Sequence, residues 1–228
     1  RFAWLPDGQA IVIWAKGKIR RIDAKTGKAQ VIPFRIQDER QVASAVRFPI
    51  EVAPADFPVR MLRNVVTSPD GQMVAYQALG HIYLRSLPNG EPQRLTQQTS
   101  HFEFMPSFSA DSRELVYVAW NDDQLGEIRI APAQPGSRGE AVTQQPGHYR
   151  NPVLSPDGKT VVFEKAGGGR VLSPLWSQER GIFKLERGGT EQLLVSKQGS
   201  HPRFSGNPDR IYYVDAKSEK QADNLGLY

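Results

Sequence analysis

The sequence contains no cysteine, no long apolar run and only four histidines. The missing cysteines exclude disulfide bonds, thiolate nucleophiles and zinc sites built on thiolates. No window of about 18 apolar residues occurs, so no segment of the sequence can span a membrane as a helix. The sequence also lacks Gly-x-Ser-x-Gly, the turn that presents the nucleophile of many serine hydrolases. These absences leave a globular chain without an obvious nucleophile.

Positively charged residues are only slightly in excess of negatively charged ones. Lys and Arg number 29 against 24 Asp and Glu, which gives a net charge of +5. The densest basic stretch, 18–28, holds one acidic residue and no aromatic residue on which a base could stack. We therefore predict a solvated hairpin there and no nucleic-acid partner.

One short phrase recurs along the chain. It reads WLPDGQAIVIW, TSPDGQMVAYQ, FSADSRELVYVAW, LSPDGKTVVFE and FSGNPDRIYYVD. The residue before the Pro-Asp-Gly turn, here called the anchor, is Leu5, Ser68, Ser109, Ser155 and Ser205. The steps between anchors are 63, 41, 46 and 50 residues. Periods a little above 40 residues are typical of four-stranded propeller blades.

The recurring turn has a physical basis. Proline fixes φ near the value of a tight turn, aspartate can bond the nearby backbone, and glycine takes the positive φ that closes a hairpin. Ser112 stands where glycine is expected, so we predict a strained or different turn there. The fifth copy has one extra residue before Asp209, and its turn should differ as well.

Short β-branched runs separated by glycine turns follow each anchor, and no stretch sustains a helical period. The pattern predicts an all-β fold of successive antiparallel hairpins. We assign 1–228 to a single propeller segment with blades at 1–34, 64–100, 101–146, 147–199 and, in part, 200–228. Residues 35–63 form an insertion, and 166–181 widen the fourth blade.

Aromatic residues recur on the second strand of each repeat. They are Trp14, Tyr76, Tyr117, Phe163 and Tyr212. Because aromatic side chains fill the space between packed sheets, we predict that these residues form the core between blades.

The second repeat, SPDGQMVAYQALGHIYLRSLPNGEPQRLT (68–96), resembles the TolB-like, Tricorn-type β-propeller repeat. The resemblance covers about four-fifths of the chain. It implies a propeller of four-stranded antiparallel blades, here four blades and part of a fifth. Such a segment would belong to a larger propeller, and its open blade edges could support self-association.

A narrower resemblance involves GKIRRIDAKTGKAQVIPF, MLRNVVTSPDG, HFEFMPSFSADSRELVYVAWNDD and GHYRNPVLSPDG. These stretches look like the propeller part of bacterial amidohydrolase fusion proteins, which are exported and carry a metal-binding His-x-His motif in a separate barrel. That motif is missing here. The resemblance implies a non-catalytic accessory domain without a cofactor of its own, in the periplasm or secreted, whose parent polypeptide is a hydrolase with a divalent metal.

Two other functions remain open at this point. A stand-alone TolB-type module would bind other proteins in the periplasm. A serine peptidase could instead use the propeller to control access to its catalytic domain. Both alternatives predict protein partners and no catalytic residue in this chain.

The residues between the repeats are the candidate site. Histidines at 101, 148 and 201 each precede an anchor, in loops that lead into the first strand of a blade. We predict that they lie at the rim of the propeller channel with four neighbours, although their unequal distances from the anchor argue against a shared metal. The candidate contacts are His101, Glu103, His148, Tyr149, Arg150, His201 and Arg203.

Overall fold

The computed structural model describes residues 2–43, 51–168, 179–196, 199–216 and 225–227. In these ranges the chain forms 19 β-strands in five antiparallel sheets and no helix. The all-β prediction is therefore confirmed. Most of the predicted insertion at 166–181, including Trp176, lies outside the described residues, as does 44–50 of the insertion at 35–63.

Each sheet is built from strands that follow one another along the chain. The first sheet comprises β1 (Phe2–Trp4), β2 (Ala10–Ala15), β3 (Lys18–Asp23) and β4 (Ala29–Val31). The second comprises β5 (Arg63–Thr67), β6 (Met73–Ala78), β7 (His81–Ser86) and β8 (Gln93–Arg94). The third comprises β9 (Phe102–Phe108), β10 (Glu114–Asn121), β11 (Leu125–Pro132) and β12 (Glu140–Ala141).

The fourth sheet comprises β13 (His148–Leu154), β14 (Thr160–Ala166), β15 (Gly181–Glu186) and β16 (Gln192–Ser196). The fifth has three strands, β17 (Ser200–Phe204), β18 (Ile211–Ala216) and β19 (Leu225–Leu227). The chain divides into two compact units, Arg1–Ala55 and Asp56–Tyr228, and each is described by itself.

The second unit is a stack of sheets that pack face to face. Leu115, Tyr117 and Ala119 pack against the second sheet, while Val116 and Val118 on the opposite face of β10 pack against the fourth. Val162 and Ile182 then face the fifth sheet. Successive residues of a strand point to opposite faces, so continuous apolar runs such as LVYVA are needed where both faces are covered.

The first unit has a different environment. Its sheet leaves large apolar side chains in contact with solvent, and Trp14 is 75% exposed. All three residues of β1, Phe2 to Trp4, are exposed as well. Ala10 is the one fully buried residue of β2, so this sheet keeps its strand pairing without an extensive core among its described residues.

The predicted core between blades is wrong for two of its five aromatic residues. Tyr117, Phe163 and Tyr76 are buried, whereas Trp14 is 75% and Tyr212 is 40% exposed. Strand pairing gives the reason. Phe204 pairs with Ile211 as Leu154 pairs with Val161, so the equivalent of Phe163 is Tyr213.

In the first sheet the same pairing makes Ile13, and not Trp14, the equivalent residue. An offset of one residue along a strand turns a side chain to the opposite face of the sheet. Trp14 and Tyr212 therefore share their strands with the core positions but not the face that these positions occupy.

The anchor serine is buried because it organises the turn that follows it. In the fourth sheet the Ser155 hydroxyl donates to Asp157 (2.6 Å) and accepts from the Thr160 amide (2.9 Å). Ser68 and Ser109 make the same pair of bonds with the same distances. These bonds also hold the pKa values of Asp70, Asp111 and Asp157 below the ordinary value, chiefly through the serine hydroxyl.

Ser112 adopts a φ of 63° at the position where three of the other turns have glycine, which confirms the predicted strain. A left-handed conformation costs a residue with a side chain roughly 1 kcal/mol. The Ser112 hydroxyl offsets this cost because it accepts a hydrogen bond from the Asp70 amide (3.1 Å) in the neighbouring sheet. In the fifth turn, Ser205 accepts from the Asn207 amide, and Asn207 from the Asp209 amide, so this turn differs as predicted.

Candidate functional site

The first strands of the four sheets in the second unit, β5, β9, β13 and β17, contact one another in sequence and carry the same irregularity. Each has a bulge where the pairing register shifts. The residue at the bulge has a positive φ and lies four positions before the anchor. These bulge residues are Asn64 (49°), Met105 (52°), Asn151 (46°) and His201 (53°).

The bulge fixes where the three predicted histidines lie. His201 is itself the bulge residue of β17, whereas His148 and His101 precede their bulges by three and four residues. Three or four residues correspond to roughly 10–13 Å along a strand. The imidazoles therefore occupy different levels of their strands. Among the described residues, no three His, Asp or Glu side chains are grouped so that they could hold a metal ion.

His148 begins β13 and stacks on an aromatic side chain of the third sheet. Its ring lies 5.0 Å from the Trp120 ring with an angle of 13° between the planes. Burial lowers the pKa of His148, and the positive charge of Arg150 lowers it further. Because the uncharged imidazole is favoured, this contact is a stacking interaction that joins two sheets.

Tyr149 is buried and connects the first strand of the fourth sheet to its outer part. Its hydroxyl contacts the Gln145 carbonyl oxygen (2.6 Å) and the Glu191 carboxylate. Lys165 donates to the same carboxylate (2.6 Å). Burial, followed by Glu191, raises the pKa of Tyr149. These contacts give Tyr149 a structural role.

Arg150, His201 and Arg203 are exposed. The His201 amide donates to Glu164, which also accepts from the Asn151 side chain (2.8 Å). Arg203 donates to the Pro202 carbonyl oxygen (3.0 Å). The backbone of these strands is thus held in place, while the charged side chains reach solvent.

Glu103 is fully buried at the centre of a polar network between the second and third sheets. Its carboxylate accepts from the Ile82 amide (3.0 Å), the Gln98 side-chain amide (2.9 Å) and the Thr96 hydroxyl. A buried carboxylate is tolerated only when its oxygens are bonded in this way. Glu103 therefore holds the connection between β8 and β9 against the first strand of the third sheet.

A cavity of about 390 Å³ lies beside this network. One wall is the connection from Thr96 to His101, and the other is the loop from Gly136 to Gly139 between β11 and β12. That loop is fixed to the second sheet because the Gly136 amide donates to the Arg94 carbonyl oxygen (3.1 Å). Tyr117 and Arg129 close the bottom of the cavity.

Polar atoms without a partner are concentrated at this cavity. Six buried side-chain atoms of the described residues have no hydrogen-bond partner. Four of them belong to residues that line the cavity: His101 Nε2, Tyr117 Oη, Arg129 Nε and Ser137 Oγ. A buried polar atom without a partner costs about 1–3 kcal/mol, so such a concentration calls for a functional explanation.

Close packing holds Tyr117 and Arg129 in position. A methyl group on Gly139 would overlap the Tyr117 hydroxyl, so only glycine fits at this point. Arg129 donates to the Gly139 carbonyl oxygen (2.6 Å) and pairs with Glu127. Burial raises the pKa of Tyr117, and Glu103 raises it further while Arg129 opposes the shift. Burial and Arg129 lower the pKa of His101.

Sequence reasoning identified His101 and Glu103 but missed Tyr117, Arg129 and Ser137. Tyr117 was assigned to the core, where its ring does lie, but its hydroxyl reaches the cavity. The one sequence signal for the loop was GSRG (136–139), with two glycines around a hydroxyl and a cation.

The fold of the chain is similar to that of solved β-propeller proteins. A putative TolB from Agrobacterium tumefaciens is 18% identical, with a TM-score of 0.55 over 98% of this chain and 70% of that one. TolB from Acinetobacter baumannii is also 18% identical, with a TM-score of 0.55 over 99% and 48%. A puromycin-hydrolyzing peptidase from Mycobacterium tuberculosis is 16% identical, with a TM-score of 0.51 over 100% and 36%.

No protein-family model and no curated protein matches the sequence. At these identities the comparisons show the fold. The chain has the β-propeller fold, with four antiparallel sheets of four strands and one of three among its described residues, and this fold is similar to that of the two TolB proteins. It spans 48% of the length of the Acinetobacter protein.

Proposed function

We propose that this chain is a non-catalytic interaction domain that holds a protein partner against the first strands of its sheets. The partner we favour is a hydrolase domain of the amidohydrolase type in the same polypeptide. The TolB-like fold supports the first part of this proposal. The resemblance of the sequence to the propellers of amidohydrolase fusion proteins supports the second.

One observation carries the proposal: exposed arginines stand beside the bulges on rigid strands. Arg63 and Arg150 each precede a bulge residue, and Arg203 follows one by two positions. The strands under them are held by sheet pairing and by the bonds from Asn64 to Gln77 (3.0 Å) and from Asn151 to Glu164. Exposed charges on a fixed backbone favour rapid association with a surface of opposite charge.

The metal belongs to the hydrolase domain in this proposal. The sequence has no His-x-His, and the described residues present no group of three metal ligands. A divalent ion in the partner domain would supply an activated water, and the role of the present chain would be to position or cover that domain. The chain itself would carry no cofactor.

The experiment uses the complete natural polypeptide. Its first step is to sequence the full reading frame that encodes this chain. An amidohydrolase sequence beside this chain is the expected finding. The double variant Arg150→Glu and Arg203→Glu should then loosen the contact between the domains, which limited proteolysis detects as faster cleavage between them. Arg113→Glu with Arg210→Glu is the matched control, because these exposed arginines lie in the turns that follow the first strands of the third and fifth sheets, away from the bulges.

Two results would contradict the proposal. Hydrolase activity in the purified chain alone would show that it is catalytic. Equal proteolysis of the two double variants would show that the arginines beside the bulges do not contact a partner.

A stand-alone TolB-type binding module is the second candidate, and the two TolB structures favour it because they match nearly the whole chain. A reading frame that ends after the last blade would support it. A peptidase propeller is the third, favoured by the peptidase from Mycobacterium tuberculosis, and it requires a serine nucleophile in a neighbouring domain.

We further propose an exported location, in the periplasm or outside the cell, by analogy with the fusion proteins and with TolB. Among the described residues, no helix has the length and apolar character needed to cross a membrane. Fractionation of the natural host with an antibody to the chain tests the location. Recovery with the cytoplasmic fraction would contradict it.

A further inference from the structure

The cavity between the second and third sheets has a lining that no part of the interaction function uses. Part of its lining is buried, with Tyr117 at the bottom fully buried and Ser137 in the loop wall 8% exposed. Its mouth is formed by exposed residues, among them Ser100 and Arg138. Tyr117 Oη and Ser137 Oγ are both buried atoms without a partner at this cavity. We propose that this cavity binds a small anion.

The charge of the lining favours an anion over a cation. Two arginines, Arg129 and Arg138, line the cavity, and no aspartate or glutamate does. The nearest carboxylates are already engaged, since Glu103 accepts from Ile82, Thr96 and Gln98, and Glu127 pairs with Arg129. Neither carboxylate is left to compensate a bound cation.

The unpartnered atoms supply the hydrogen bonds that an anion needs. Arg129 Nε carries a proton and can only donate, while the hydroxyls of Tyr117 and Ser137 can each donate one. His101 Nε2 donates in one of its two tautomers. Hydrogen bonds from such donors to an ionised oxygen are stronger than those to a neutral one.

The volume of the cavity limits the size of the ligand that it can hold. Small-molecule sites span about 300–1,000 Å³, and 390 Å³ lies at the lower end of this range. A dicarboxylate of four carbons or an inorganic phosphate fits within it. Both present several oxygens that accept hydrogen bonds, which is the shared chemistry that the lining recognises.

Calorimetric titration of the purified chain at low ionic strength tests the proposal with three probes. Succinate and inorganic phosphate are the anionic probes, and succinamide is the neutral analogue of the first. We expect saturable binding of at least one anion and none of succinamide. Binding of succinate alone identifies a carboxylate site, and binding of phosphate alone a phosphate site. Failure of both anions at millimolar concentration, or equal binding of succinamide, overturns the proposal.

The variants Tyr117→Phe and Ser137→Ala remove two unpartnered hydroxyls. Since neither hydroxyl has a hydrogen-bond partner of standard geometry, Ser137→Ala should retain the wild-type thermal midpoint, and Tyr117→Phe, whose hydroxyl lies beside Arg129, should stay close to it. Each should weaken binding by about tenfold or more, because a hydrogen bond to a charged group is lost. Tyr149→Phe is the matched control, since its hydroxyl contacts Gln145 and Glu191. It should lower the midpoint and leave the affinity unchanged.

Two variants are used so that the site can still be tested if one of them does not fold. If Tyr117→Phe does not fold, Ser137→Ala still reports on the site, because Ser137 lies in a loop and not in a strand. Wild-type affinity in the folded Ser137→Ala variant, with Tyr117→Phe also unaffected or unfolded, would overturn the assignment of these residues.

Discussion

The first and third sheets have the same strand order, yet their environments are opposite. Strand β10 is buried on both faces, with Tyr117 and Val116 fully enclosed. Strand β2 keeps only Ala10 fully buried, and Trp14 on it is 75% exposed. The repeat therefore specifies the sheet, but it does not specify the burial of the sheet.

Contacts between sheets explain the difference. The third sheet packs against the second through one face and against the fourth through the other. Within the unit Arg1–Ala55, the described residues form a single sheet. A core side chain gains its stability from the neighbours that enclose it, so equivalent residues in the two sheets should respond very differently to truncation.

The largest effect should follow from removing an aromatic ring between sheets. Phe163→Ala should lower the free energy of unfolding by about 3–5 kcal/mol, because the enclosed ring leaves a cavity. Trp14→Ala removes a larger but exposed side chain and should change it by less than about 1 kcal/mol. Urea denaturation monitored by circular dichroism measures both. Similar losses for the two variants would show that the first sheet is also enclosed in solution.

The next effect concerns the polar network of the third sheet. Glu103→Ala should lower the free energy of unfolding by about 3 kcal/mol, because the Ile82 amide, Thr96 and Gln98 lose their acceptor. Glu127→Ala is the control, since this residue is partly exposed and pairs at the edge of the cavity. Thermal denaturation compares them, and an equal or larger loss for Glu127→Ala would contradict the assigned role of Glu103.

A smaller effect distinguishes the turn of the third sheet from that of the first, where Gly8 takes the positive φ. Ser112→Ala should lower the free energy of unfolding by about 1–2 kcal/mol, because it keeps the left-handed conformation and loses the bond from the Asp70 amide. Ser112→Gly relieves the backbone while losing the same bond, and should lie within about 0.5 kcal/mol of wild type. A reversed order in chemical denaturation would refute this explanation.

The smallest effect concerns pH. Asp70, Asp111 and Asp157 have pKa values lowered from 3.8, first by the anchor serines. Their contribution to stability is therefore complete above pH 3.8 and is lost as the pH falls through the lowered values. The triple variant replaces Asp70, Asp111 and Asp157 by asparagine. As the pH is lowered, its thermal midpoint should fall less steeply than that of the wild type. An identical acid decline would show that other groups control it.

The sequence predicted which segments form sheets better than it predicted which face of a sheet each aromatic side chain occupies. The three Pro-Asp-Gly turns and their two variant copies located the first hairpin of each sheet, because proline, aspartate and glycine act through local backbone geometry. The strand register is the same in these repeats, but Trp14 stands one residue after the core position Ile13, and Tyr212 stands one residue before the core position Tyr213. A sequence pattern that tolerates such an offset cannot determine which of two adjacent aromatic residues enters the core.

The candidate site was predictable only in part, for a related reason. His101 and Glu103 stand close to an anchor, so their place at the start of β9 follows from the repeat. Tyr117, Arg129 and Ser137 come from two strands and a loop, and a bond between the loop and the second sheet brings them together. The proximity of these three residues depends on tertiary packing, and no periodic pattern in the sequence indicates it.

The stacking of sheets has a consequence for how the second unit opens. Each sheet is stabilised mainly by the sheets directly beside it, so the free energy of the stack resembles a chain of nearest-neighbour couplings. An outer sheet can detach by breaking one interface, whereas release of the third sheet requires two interfaces to break. The fourth sheet likewise has two interfaces, with the third and the fifth sheets. The amides of β10 and β14 should therefore be the last in the unit to exchange their protons with solvent, and the cavity beside Tyr117 lies against one of these slow-opening strands.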